Sequence, residues 1–289
     1  LIHAHYAIPH TAAAWIAKEL IGQAAPPIIT TLHGTDIIYL GAMAEYRPLL
    51  QHVLEASNLV TCVSENLKKR TEQLFNLDAE IEVVPNFFEP KPPTRSREDI
   101  RASLDVGDGV LAIHASNLRS IKRIDLMLDA FKEAVSRCDA NLLIMAGAEA
   151  SRIQPEIKKR SLENHVRIVD DVYEIDNYYA ASDFTLYTSE YESFCLGILE
   201  GMRHGLPSIA FEVGGIPEVV VNEESGILVP FGDIEALGVA IVRLAGDGDC
   251  RKEMGASARA RAEKEFSAGV IVDSYMGAYR RVLASESSM

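Results

Sequence analysis

Glu192 and Glu200 bracket the stretch Glu192-Ser-Phe-Cys-Leu-Gly-Ile-Leu-Glu200. Ser193 is a residue type that caps helices, so a helix is expected to begin near Phe194, with free N–H groups at Phe194, Cys195 and Leu196 that favour an anion. At ~1.5 Å of rise per residue the two carboxylates stand roughly 12 Å apart. That is too far for an acid/base dyad working on one bond. It suits two carboxylates gripping hydroxyls at opposite ends of one long polar ligand. On spacing alone, a loop charge followed by a surface glutamate is the better reading.

Other stretches offer complementary chemistry. Ser116-Asn-Leu-Arg119-Ser-Ile-Lys122-Arg123 concentrates cations in a short loop. Arginine binds phosphate through two parallel hydrogen bonds and lysine adds a compact charge, although a solvated loop explains the same spacing equally well. Glu212-Val-Gly214-Gly215-Ile-Pro217-Glu218 pairs two glycines, which let a backbone approach a ligand closely, with a proline suited to open a helix. Thr31-Leu-His33-Gly34-Thr35-Asp36 sets a histidine beside a glycine after an apolar run, as a polar contact or a proton carrier. A lone histidine is more often structural. His3 and His5 share a strand face without a third ligand at metal-site spacing, so no metal is expected. G-x-G-x-x-G after a strand, the P-loop and the G-x-S-x-G elbow are all missing, which removes the phosphate motifs of hydride transfer and NTP hydrolysis.

These residues need elements to hold them. Short runs rich in Val, Ile and Leu recur at Leu1–His5, Ile28–Leu32, Leu59–Val63, Ile81–Val84, Val110–Ala115, Asn141–Ala146, Val166–Val169, Phe184–Thr188, Pro207–Phe211 and Gly226–Val229. Helix-like segments such as Thr11–Gln23, Leu49–Ala56, Glu65–Phe75, Asp125–Arg137 and Phe194–Arg203 separate them. Apolar strands alternating with helices imply parallel sheets covered on both faces, an α/β protein. Ligands of such sheets lie beyond the carboxyl ends of the strands, where each stretch above falls. Phe87–Leu104 carries Pro90, Pro92 and Pro93 and reads as a linker running into a helix start. The expected division is a domain at 1–90, a linker at 91–107 and a second domain at 108–265. Phe266–Ala284 has the apolar spacing of an amphipathic helix, and Ser64 is placed to cap another.

Bulk properties narrow the partners. A formal net charge of -14 argues against a general nucleic-acid binder, so an anionic small substrate would need a locally basic site. Charged or turn residues interrupt every apolar run before membrane-spanning length. Cys62, Cys138, Cys195 and Cys250 lack metal-site spacing and read as reduced thiols, which points to the cytoplasm. No cofactor is called for, and homo-oligomerisation is left open. The chain opens inside a strand-like run with no methionine and no signal-peptide pattern before it, so an upstream portion is expected.

The His33 loop, the Lys122 loop, the Glu192…Glu200 pair and the Gly-Gly-Ile-Pro-Glu segment, in that order, resemble glycosyltransferase family 4. The resemblance spans nearly the whole chain. It implies the GT-B fold, with two Rossmann-like doubly wound parallel-sheet domains, the first incomplete here and joined by the C-terminal helix. His3-Ala-His-Tyr-Ala-Ile-Pro-His10, Thr31–Asp36, Val84-Pro-Asn-Phe87 and Ser116–Arg123, with Asn117 where most relatives carry arginine, are most similar to members that join N-acetylglucosamine to L-malate in bacillithiol biosynthesis. Asp170-Asp171 and Ala146-Gly-Ala-Glu149 depart from the usual family residues.

The resemblance implies a retaining, metal-independent hexosyltransferase using a UDP-sugar, UDP-GlcNAc, and a small hydroxy-acid acceptor. Glu200 would take the ribose hydroxyls and Glu192 a sugar hydroxyl. Lys122 and Arg119, with the amides near Phe194–Leu196, would take the diphosphate. Asn117, Ser193, Gly214 and Gly215 complete the donor set, and His33 would lie at the reacting centre. Tyr6 and Thr31 are the acceptor candidates, and domain closure would exclude water. A lipid or polysaccharide acceptor, and an inactive nucleotide-sugar-binding protein, remain alternatives.

Overall fold

A computed structural model describes residues 1–78, 81–147, 150–170 and 172–286. The chain forms two compact units, Leu1–Asn86 together with the chain from Ala268 onward, and Phe87–Ser267.

In the first unit, β1 (Ile2–His5), β2 (Ile28–Leu32), β3 (Leu59–Cys62) and β4 (Ile81–Val83) form a parallel sheet in the order β1-β2-β3-β4. The β2 and β3 strands are buried throughout, as continuous apolar runs require. Their threonines enter the core because each hydroxyl finds a partner. Thr31 lies opposite Thr61 with the oxygens 2.6 Å apart, and Thr30 meets Ser57 at 2.7 Å. Helices α1 (Ala12–Ile21), α2 (Arg47–Glu55) and α3 (Glu65–Leu74) connect the strands. Ser64 caps α3, accepting the Leu67 amide at 3.1 Å. No residue of α1 is buried, and Ile16, Leu20 and Ile21 are exposed on it. The C-terminal helix, Ala268–Glu286, sets Ala278 and Val282 against Ile29 and Leu59.

The second unit is a parallel sheet of β5 (Val110–Ser116), β6 (Ala140–Ala146), β7 (Val166–Asp170), β8 (Phe184–Tyr187), β9 (Ser208–Phe211) and β10 (Gly226–Val229). Its order is β10-β9-β8-β5-β6-β7. Helices α4 (Arg97–Leu104), α5 (Ile124–Val135), α6 (Ala150–Lys159), α7 (Ile175–Ala181), α8 (Leu196–Arg203), α9 (Ile216–Val219), α10 (Ile234–Gly246) and α11 (Gly248–Glu265) cover it. Alternate strand residues enter different cores. Ala112, Leu142 and Ile144 pack with α5 and α10 residues such as Phe131 and Ile241. Leu111, Ile113 and Leu143 pack with Ile100, Leu104 and Tyr179.

Every strand read from the sequence is present, with ends moved by at most one residue. The stretch 91–107, read as a linker, carries α4, whose Ile100 and Leu104 are buried in the second unit. Arg101 anchors this helix. Its guanidinium donates to the carbonyls of Gly107, Gly109 and Ala181 and to Asp183, which also accepts the β5 amide of Leu111 at 2.7 Å. Removing one side of such a network strands the other in a poorly solvated place. Arg101→Leu should lower the unfolding free energy by about 3 kcal/mol or more in urea titrations.

Candidate functional site

Adjacent strands β5 and β8 are the point where the sheet reverses, since β6 and β7 lie on one side and β9 and β10 on the other. Parallel doubly wound sheets open a crevice at the carboxyl ends of such a pair. Pairing between the two is short, joining Ala112 to Phe184 and Ile113 to Thr185. Beyond that, side chains take over the bridging. Buried His114 donates from Nδ1 to the Leu186 carbonyl at 2.9 Å, which leaves Nε2 to accept from Ser116 Oγ at 2.7 Å. Ser116 Oγ in turn accepts the Leu118 amide at 3.2 Å, at the entry of the basic loop.

Two of the stretches read from the sequence meet here. Lys122, at the end of the β5 loop, donates to Glu192 Oε1 at 2.6 Å, and Ser189 Oγ donates to the same oxygen at 2.6 Å. Both charged side chains are largely shielded, at 19% and 11% exposure. The β9 loop holds Glu192 from the other side. Gly215 N–H donates to the Glu192 carbonyl at 2.8 Å. Gly214 has φ 55°, and a Cβ there would lie 2.0 Å from that carbonyl oxygen, so a side chain fits neither the backbone nor the space. The glycine pair therefore lets one loop close on the other.

The α8 helix begins at Leu196, later than the expected start near Phe194. Its N-cap is Cys195 rather than Ser193, and no side chain caps it. The rise-based spacing of Glu192 and Glu200 accordingly covers only the helical part. Cys195 holds φ 74°, a strained setting for a residue with a side chain. Its thiol is buried, which pushes its pKa well up and leaves it poorly suited to act as a nucleophile. Phe194 is buried against Phe266, with ring centroids 5.6 Å apart, whereas Leu196 is exposed.

Glu200 receives the Tyr179 hydroxyl at 2.7 Å, and burial raises its pKa against that hydrogen bond. Tyr179 lies 3.4 Å from the hydroxyl of Tyr187, which stands under the start of α8. A Cβ on Gly197 would come within 1.9 Å of that hydroxyl. Sequence reading missed Tyr179 and Tyr187. Tyr187 ends a buried strand and Tyr179 lies on a short helix, and only the tertiary packing brings their hydroxyls together and the Tyr179 hydroxyl to a carboxylate.

Arg119 and Asn117 are exposed in the β5 loop, and Asn117 Oδ1 lies 3.5 Å from the Arg119 amide. A cavity of about 330 Å³ at the ends of β5, β6 and β7 is lined by Ala115, Met145, Ala146, Gly147, Val169, Val172, Tyr173 and Ile175. Its small apolar lining was not singled out in the sequence. Of the stretches Ala146–Glu149 and Asp170-Asp171 noted in the sequence, Ala148, Glu149 and Asp171 lie outside the described residues.

In the first unit, His33 follows β2 and Tyr6 follows β1, with ring centroids 4.8 Å apart. His33 Nε2 and His5 Nδ1 share a hydrogen bond of 2.8 Å. Burial, with His5 and His3 adding to it, lowers the His33 pKa to about 4, so the ring is neutral at pH 7. His3 is likewise lowered to about 4 by burial, and bonds Tyr279 and Thr31 at 2.7 Å each. Thr31 is fully buried, its hydroxyl already held by His3 and Thr61 and 3.5 Å from Tyr275. Among the described residues, no group of three or more His, Cys, Asp or Glu is placed to hold a metal ion, and no helix is long and apolar enough to cross a membrane.

Two parallel-sheet α/β units in one chain, the second with a cation–carboxylate pair at its switch point, fit the class of GT-B glycosyltransferases. The chain belongs to the family 4 glycosyltransferases. Residues 96–261 match the model for glycosyl transferases group 1, and residues 1–91 the model for glycosyltransferase family 4. It is 34% identical to N-acetyl-alpha-D-glucosaminyl L-malate synthase of Bacillus anthracis, over 100% of this chain and 76% of that protein. It is 30% identical to D-inositol 3-phosphate glycosyltransferase of Saccharomonospora viridis, over 99% of this chain and 70% of that one. The fold is shared with sucrose-phosphate synthase of Thermosynechococcus elongatus, at a TM-score of 0.81, 23% identity, and 98% and 74% coverage of the two chains. It is also shared with Anabaena Alr3699/HepE solved with UDP and glucose, at a TM-score of 0.82, 21% identity, and 94% and 76% coverage. The protein is a glycosyltransferase, of the hexosyltransferase kind.

Burial holds His114 at a pKa of about 4, below its ordinary 6.5. The unfolded chain therefore takes up a proton that the folded chain refuses as pH falls from 6.5 toward 4. Stability should be flat above that window from this group and fall through it by up to about 3 kcal/mol. Urea midpoints from pH 7 to 4.5 should fall less steeply in His114→Asn, which keeps a donor for the Leu186 carbonyl.

Proposed function

We propose that the protein transfers N-acetylglucosamine from UDP-GlcNAc to L-malate with retention at the anomeric carbon. The observation that carries the donor half is the Lys122–Glu192 contact at the β5/β8 crevice, next to the start of α8. Here a fixed cation, a carboxylate and a helix N-terminus converge where a charged, hydroxyl-rich ligand is expected to lie. Glu200, oriented by Tyr179, accepts the ribose hydroxyls, and Glu192 accepts a hydroxyl of the transferred sugar. The apolar cavity beside Ala115 and Gly147 has room for the flat base.

Lys122, Arg119 and the amides at the start of α8 stabilise the diphosphate as the glycosidic bond breaks, which is electrostatic work on a developing charge. The sugar–phosphate bond breaks, the acceptor hydroxyl oxygen bonds to the same face of the anomeric carbon, and the departing phosphate oxygen takes the hydroxyl proton. In the first unit, neutral His33 offers a hydrogen bond to the sugar and Tyr6 serves the acceptor, with Thr31 behind them. The malate assignment is supported by the resemblance at His3–His10 and Ser116–Arg123 and by the similarity to the Bacillus anthracis synthase.

Lys122→Ala and Glu200→Ala in the full-length gene product should each cut turnover at least about a hundredfold while circular dichroism stays unchanged. Mass spectrometry of products from UDP-GlcNAc offered with L-malate and with competing acceptors checks the substrates. Turnover unchanged in either variant, or preference for another acceptor, would sink the corresponding half of the proposal. Calorimetric UDP binding without product from any acceptor would identify a binding protein instead.

A further inference from the structure

In Thr31-Leu-His-Gly-Thr-Asp36 the last residue has no part in the chemistry above, yet this aspartate is only 1% exposed. No ion pair accompanies it among the described residues. What it holds are main-chain amides from two different loops. Oδ2 accepts the Ala7 N–H at 3.1 Å and Oδ1 accepts the Gly34 N–H at 3.0 Å. Ala7 follows Tyr6 and Gly34 follows His33, so one carboxylate fastens the chain next to each candidate contact of the first unit.

Tyr6 is where that fastening matters. Its backbone sits at φ 73° and ψ 129°, outside the regions that residues with a Cβ prefer. Such a setting persists only when its surroundings over-determine it. Thr31 supplies one restraint, its carbonyl accepting the Tyr6 N–H at 2.9 Å, and Thr11 another, its amide donating to the Tyr6 carbonyl at 3.2 Å. Asp36 holds the same Tyr6–Ala7 peptide from its other end, accepting the Ala7 N–H. Together they leave the Tyr6 ring 4.8 Å from that of His33, tilted by 41°.

We infer that Asp36 is a positioning residue for the acceptor side: by holding the amides of Ala7 and Gly34 it keeps Tyr6 in its strained backbone and its ring against His33. The inference rests on the roles proposed above for Tyr6 and His33. Asp36→Asn is nearly isosteric but turns an NH2 group toward one of the two amide donors. In the full-length gene product it should raise the L-malate KM by about tenfold and leave the UDP-GlcNAc KM within about twofold. In a Tyr6→Ala background the same substitution should change the L-malate KM by less than about twofold, because the ring it positions is gone. A crystal structure of Asp36→Asn should show Tyr6 at negative φ with its ring moved off His33. Additive effects of the two substitutions overturn the inference, and so does a Tyr6 backbone that keeps its φ in the variant. If Asp36→Asn fails to fold, Asp36→Glu, which keeps the charge but lengthens its reach, takes its place in the same cycle. A wild-type protein that turns over no hydroxy acid defeats the functional reading alone, and the crystal structure then decides the role of Asp36.

Discussion

Two parallel strands that are hydrogen-bonded neighbours, but whose sheets continue in opposite directions, cannot both carry their chains away over the same face. That constraint at β5 and β8 opens the crevice, and the rest of the second unit is arranged around it. Because the ladder between them is short, their carboxyl ends are joined by side chains. His114 reaches the β8 carbonyl of Leu186, and its ring lies 4.9 Å from that of Tyr187. The two loops leaving the strands then converge through the Lys122–Glu192 pair. A shielded ion pair between a potential phosphate ligand and a potential sugar ligand is self-consistent without substrate, since each charge is compensated until a ligand competes for it.

The first unit solves a related problem with different materials. Its site-side polar groups lie at the ends of β1 and β2, and they are mostly neutral. His3, His5 and His33 have pKa values lowered chiefly by burial, so their rings can donate and accept hydrogen bonds without bringing net charge. The C-terminal helix belongs to this arrangement through Tyr279, which fixes one nitrogen of His3 while Thr31 takes the other. The contrast follows the chemistry proposed for each unit: fixed charge where a diphosphate departs, and neutral hydrogen bonding in the other unit.

Much of this was legible in the residues. Buried parallel strands announce themselves as uninterrupted runs of Val, Ile and Leu, which is why β2 and β6 stand out as clearly as they do. The candidate site residues stood out as a group because they cluster just past such runs. The start of α8 was not, because a serine that could cap a helix says nothing about the strained backbone at Cys195 that delays it. Nor could spacing reveal that Glu192 binds Lys122, that Thr31 is buried with its hydroxyl engaged, or that Tyr179 reaches Glu200. Those relations join residues far apart in the chain, and only the packed sheet brings them together.

Tyr187 and Gly197 show how this packing constrains the protein's history. The phenol occupies the space where any side chain at position 197 would begin, with a Cβ placed 1.9 Å from its oxygen. Substitutions at the two positions therefore have an order. A smaller residue must replace Tyr187 before position 197 can leave glycine, and that first step already withdraws a hydroxyl packed beside Tyr179 and the carboxylate it orients. The reverse order passes through a steric clash. In this chain position 197 is therefore tied to glycine for as long as Tyr187 keeps its phenol, a constraint set by the hydroxyl and the ring carbon that carries it.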